Sequence, residues 1–148
     1  MMKININSLV NQLIWGGQLN FDNQFKLHIG NKIPREVIYN YENFTMDENL
    51  FRGEYILNIH CAWRIIKNEI LASSNDEYEM VLPIFNLIKN KKITNIELSK
   101  FNDFCLILEN GMELQLIKDR TNEINFSVIF DDLIYSVYGN ESILKEYR

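Results

Sequence analysis

Residues 53–65 read GEYILNIHCAWRI and hold one of the chain's two histidines, one of its two cysteines and one of its two tryptophans. Tyr55, Leu57, Ile59, Cys61, Trp63 and Ile65 share one parity, while Glu54, Asn58, His60 and Arg64 share the other, with Ile56 and Ala62 between them. Side chains alternate between the two faces of a strand, so this pattern predicts a single strand with one buried face. His60 and Cys61 are adjacent and point to opposite sides, which excludes a Cys-His pair or a shared metal from within one regular strand. Trp63, if buried, needs a partner for its indole N–H.

Working outward, residues 104–117 read FCLILENGMELQLI, two apolar runs around Asn110-Gly111. A two-residue loop would put Leu106 and Leu108 on the face of Glu113 and Gln115. A three-residue loop, Glu109-Asn110-Gly111, puts Phe104, Leu106 and Leu108 with Met112, Leu114 and Leu116, so the apolar register selects it, with Gly111 left-handed. The stretch 19–29, LNFDNQFKLHI, predicts a similar hairpin, with Leu19 and Phe21 facing Phe25, Leu27 and Ile29 across Asp22, Asn23 and Gln24.

Sliding the chain by about 79 positions sets Leu9 on Ile88, Ile14 on Ile93, Leu19 on Leu98, Phe25 on Phe104, Leu27 on Leu106 and Ile29 on Leu108. A different shift sets 63–73 on 126–136. The change of shift implies an insertion at about 31–52 in the first half, and a possible internal duplication of a helix, strand, hairpin, hairpin unit. Two helices are expected, at 8–13 and within 74–90. Ser74-x-x-Glu77 reads as a capping box, and Pro83 means that the helix either begins near it or is kinked there; the favoured reading is an irregular acidic turn at 76–79 and a helix from about Pro83, presenting Ile84, Phe85, Leu87 and Ile88 to the sheet. The stretch 140–148 reads as a short helix or a frayed end. The expected fold class is α+β: a mainly antiparallel sheet, bent or two-layered, with two main helices in one domain spanning 1–148.

The chain's 148 residues can bury a core, and 47% hydrophobic with 24% charged residues is ordinary for a globular domain. A net charge of −5 runs against nucleic-acid binding, which needs a basic stripe; the cluster Lys89, Lys91 and Lys92 reads as cations near a helix C-terminus. Neither a signal peptide nor a membrane span is expected, and Cys61 and Cys105 read as core thiols of a reducing compartment, so the expected location is cytoplasmic.

No phosphate loop, nucleophile elbow or zinc-helix motif is present, and no catalytic residue, cofactor or metal site is expected. Gly16-Gly17 reads as a bulge or a close backbone approach, and Asp131-Asp132 as a hairpin tip. The insertion is the more suggestive region. Tyr39, Tyr41, Phe44 and Phe51 stand among Glu42, Asp47 and Glu48, aromatic anchors and acids suited to gripping a basic protein surface. The other class of reading is a small-ligand protein or enzyme using the polar face around His60, with Glu54, Asn58 and Arg64 beside it and His28 opposite.

Gly53-Glu54-Tyr55, Cys61-x-Trp63-Arg64-Ile65, Ser74-x-Asp76 and Leu106 with Asn110-Gly111-x-x-Leu114 resemble a family of small uncharacterised bacterial proteins, from Trp15 to about Tyr138. Proline often precedes the tryptophan in that family, where this chain has Ala62. The resemblance implies no catalytic residues. Size and charge are also similar to those of the immunity partners of bacterial toxins, which implies a protein partner, in concrete form a basic toxin, with no nucleic acid or membrane involved.

Overall fold

The computed structural model describes residues 6–98, 104–117, 123–130, 133–138 and 143–147. The chain forms β1 (Leu13–Leu19), β2 (Phe25–Pro34), α1 (Met46–Leu50), β3 (Phe51–Ile59), β4 (Ala62–Lys67), β5 (Glu69–Ser73), α2 (Tyr78–Ile88), β6 (Lys91–Leu98), β7 (Phe104–Leu108), β8 (Glu113–Ile117), β9 (Ile124–Phe130), β10 (Leu133–Tyr138) and β11 (Ile143–Tyr147). It is an α+β fold. All pairings are antiparallel, in the order β11-β10-β9-β3-β2-β1-β6-β7-β8-β4-β5.

This sheet bends back on itself. Phe25 of β2 meets Trp63 of β4 edge-on at 5.3 Å, and Phe104 of β7 meets Phe126 of β9 at 4.9 Å, although each pair of strands lies five places apart in the sheet. The core between the two layers contains those four rings together with Leu27, Leu57, Ile59, Ile65, Leu106, Leu114 and Val128. Phe85 of α2 packs on Phe25 at 5.3 Å within it.

The parity of residues 53–65 holds, but the single expected strand is two. β3 ends at Ile59, His60 and Cys61 both donate their N–H groups to the Asn125 carbonyl (2.8 and 2.9 Å), and β4 joins the other layer beside β8. Both layers face one core, so the apolar alternation runs through the crossover without a break. The Trp63 indole N–H finds the Asn23 carbonyl at 2.7 Å.

The hairpin at Asn110-Gly111 has the expected register, Phe104 opposite Leu116 and Leu106 opposite Leu114, with Gly111 at φ 83°. In the β1–β2 hairpin the register is shifted from the expected one, with Asn20 donating its N–H to the Gln24 carbonyl so that the turn is 21–23 rather than 22–24. Leu19 faces Phe25, and Phe21 is left on the tip at 84% exposure. Asn23 takes the left-handed position there (φ 62°), its amide donating to the Ser74 and Asp76 carbonyls, and these bonds set the turn.

The helical expectations need correction. In place of a helix at 8–13 there is a four-residue 3-10 turn, Ile6–Leu9, and after three further residues β1 begins at Leu13. α2 starts at Tyr78 with Pro83 inside it; Ser74 is no cap, since its hydroxyl accepts from the Trp63 N–H at 3.1 Å. Val81, Phe85 and Ile88 face the core while Leu87 is exposed. Residues 143–147 form an edge strand against β10 rather than a helix. Asp131-Asp132 lies outside the described residues.

Exchanging β1–β5 for β6–β10 in order reproduces the strand sequence read backwards, leaving only β11 without a counterpart. The central pair of this exchange is Leu13 with Lys92. Beside it Asn11 donates to the Ile93 carbonyl (2.6 Å) and Asn90 to that of Ile14 (2.5 Å), and both asparagines are left-handed.

Candidate functional site

The segment between β2 and β3, expected as an insertion, builds the candidate surface. β2 runs on to Pro34, the chain crosses the outer face of the sheet, and α1 returns it to β3. Thr45 caps α1 in a reciprocal box with Glu48: the Thr45 hydroxyl accepts from the Glu48 N–H at 3.1 Å, and the Glu48 carboxylate accepts from the Thr45 N–H at 2.9 Å.

The same carboxylate reaches the sheet. It accepts from the Gly17 N–H at 2.7 Å and from the Gln18 amide at 3.0 Å, and Lys89 stands 3.6 Å away. Gly16 permits this approach, because a Cβ there would lie 3.1 Å from the Glu48 side chain. Burial pushes the carboxyl upward, but the Thr45 and Gly17 N–H groups and Lys89 outweigh it and hold Glu48 below the usual carboxylate range. It is therefore an ionised, buried anchor.

His28 belongs to this anchor. It stacks on Trp15 at 5.1 Å, its Nδ1 accepts the Gly53 N–H at 3.1 Å, and its Nε2 meets the Gln18 side-chain Oε1 at 3.3 Å. With Nδ1 occupied as an acceptor, the neutral ring carries its proton on Nε2. Burial, then the cations Arg35 and Lys26, push its pKa down to about 4.

Held by these bonds, the flap displays apolar side chains to solvent: Val37, Ile38, Tyr39, Tyr41 and Met46 are all exposed. Tyr39, Tyr41 and Phe44 form one ring cluster with centroids 4.9–6.3 Å apart. Tyr41 and Asn49 exchange two hydrogen bonds, Tyr39 donates to the Asn49 carbonyl, and Arg35 lies 4.0 Å over the Tyr39 ring. Of the acids expected to meet a partner, Glu42 and Asp47 are exposed, Asp47 pairing with Lys32 at 2.7 Å. Glu48 is not available: at 1% exposure it lies beneath the flap.

The five residues of the other reading do not converge. Asn58 and His60 line a cleft of about 390 Å³ with Phe44, Lys26, Gln24 and Tyr78. His60 is exposed, its Nδ1 3.4 Å from the Gln24 side-chain Oε1. His28 is buried opposite Ile56, four residues and roughly 13 Å along the ladder from His60, so the two histidines do not meet. Glu54 accepts from Asn31 beyond the other side of His28, and Arg64 is on β4, opposite Ser73 and Gln115.

Cys61 and Cys105 are buried, and burial, then Glu113, pushes the Cys105 thiol up to about 12. Among the described residues no group of three or more metal-ligating side chains forms, and no helix is long and apolar enough to cross a membrane.

Glu48 was expected on the partner-binding surface, and its role is instead that of the buried anchor. Thr45-x-x-Glu48 carries the same capping-box signature as Ser74-x-x-Glu77, and it is the one that forms. Comparison of the chain with protein-family models, with curated proteins and with solved structures found no match in any of the three.

Proposed function

We propose that this chain is a non-enzymatic protein-binding module whose docking surface is the flap at 35–47, and that its partner is a basic protein, in the most concrete form a toxin that it neutralises. One observation carries the reading: a loop pinned by a buried carboxylate presents a cluster of exposed aromatic and aliphatic side chains. Ordering a loop after contact costs affinity, and a surface already ordered avoids that cost. Aromatic side chains on a rigid support are the usual anchors of interfaces. The net charge of −5 and the exposed Glu36, Glu42 and Asp47 favour a basic partner and would act mainly on the association rate.

The test is affinity capture from lysate of the source organism, with wild type beside two variants. One carries Tyr41→Ala, Glu42→Gln and Asp47→Asn, which spare Glu48; the other carries His60→Ala. The proposal expects one stoichiometric basic protein that the His60 variant keeps and the flap variant loses. Retention by the flap variant, or no captured protein at all, would remove the flap from the reading.

A further inference from the structure

Arg35 and Arg52 are placed as an ion pair would place them, but with no acid between. Ile33 sits opposite Arg52 in the β2–β3 ladder, and the Arg35 N–H extends that ladder to the Leu50 carbonyl at 3.0 Å. Arg35 is thus the diagonal neighbour of Arg52 on the same face, a separation of roughly 7–8 Å between such positions. Both line one open cavity of about 600 Å³ with Tyr39, Glu36, Val37 and Ile33.

The Arg35 guanidinium is fixed in place: its Nε donates to the Glu48 carbonyl at 3.1 Å and it stacks on Tyr39 at 4.0 Å. Arg52 donates one long bond, 3.4 Å, to the neighbouring Gly53 carbonyl. Among the described residues neither forms an ion pair, although the chain has 20 acidic residues against 15 basic ones. Two guanidiniums with fork donors to spare, beside the Tyr39 ring and an apolar wall, form a net positive cradle in which Glu36 is the one carboxylate among the lining residues and bridges to neither.

We infer that Arg35 and Arg52, beside the Tyr39 ring, form a binding site for an oxyanion, a phosphoryl group or a carboxylate. The planar forks match either group in bidentate fashion. The inference does not depend on the protein-binding reading, since a small anion probes it directly, and either may fail without the other.

The experiment is ¹H–¹⁵N NMR of the full chain titrated with inorganic phosphate, and separately with acetate, each against sodium chloride of equal ionic strength. The Arg35 Nε–H and the Tyr39 amide are expected to shift saturably, at concentrations on the order of millimolar for so small a ligand. Arg52→Gln should weaken saturation about tenfold, the loss of a charge-assisted pair of bonds. Glu36→Gln should strengthen it, an opposite change that misfolding cannot imitate, and His60→Ala should leave it alone. Saturation by phosphate only assigns the site to phosphoryl groups, and by acetate only to carboxylates. A shift reproduced by chloride, or equal affinity in Arg52→Gln, overturns the inference.

Discussion

His28 illustrates how one side chain couples the outer face of the sheet to pH. Its imidazole is buried and neutral, with the Gly53 N–H already aimed at Nδ1, so protonation would set two donors against each other. The folded pKa near 4 lies below the ordinary value of 6.5. As pH falls through 6.5 the unfolded chain takes up a proton that the folded chain refuses, so stability is lost between about pH 6.5 and 4 and the contribution is flat below that. Between pH 7.5 and 5.5 the loss amounts to about 1.4 kcal/mol. Urea unfolding at the two pH values should show this difference in the wild type and not in His28→Gln. At this scale the sequence was partly legible. The left-handed turn at Gly111 and the inward parity of Tyr55 to Ile65 follow from local rules. The buried state of His28 does not, because what covers a polar strand face comes from a segment distant in sequence.

At the level of elements, the flap depends on a helix of five residues, too short to persist by its own hydrogen bonds. Its order comes from the Thr45–Glu48 box and the Gly17 contact. Thr45→Ala removes the hydroxyl that caps Glu48 and should cost about 1 kcal/mol locally. Hydrogen exchange at the Gly17 N–H should then be about fivefold faster while the amides of β7 and β8 keep their protection. Unchanged exchange at Gly17 would mean that the flap is held by something else. The sequence shows this region as an insertion with aromatic and acidic content, and that much was readable. It gives no means of choosing between two equal capping signatures, and residue type alone does not separate an acid that serves the surface from one that serves the fold. The break at His60-Cys61 was hidden for a related reason, since a crossover between two layers sharing one core leaves the alternation intact.

Taken whole, the molecule is two interlocked sets of strands. β4 and β5 complete the layer of β6–β8, while β9 and β10 complete that of β1–β3. Neither set alone covers its apolar face, so fragments 1–76 and 77–148 should each be unfolded by circular dichroism and should regain sheet structure on mixing. A cooperative unfolding transition in either fragment alone would contradict this. The exchange of strands about Leu13 and Lys92 is a symmetry of the strand order, and the sequence could not show which partner each hairpin joins, because pairing between layers leaves no local pattern.

The flap lies between β2 and β3, and the claim that it is the docking surface is tested most directly by site-specific photo-crosslinking in cells of the source organism. A crosslinking side chain would be placed at position 41, on the aromatic cluster, and in a second sample at position 94, exposed on β6. Position 41 is expected to join to a single basic protein and position 94 to none. Crosslinks of equal yield from both positions, or none from position 41, would contradict it.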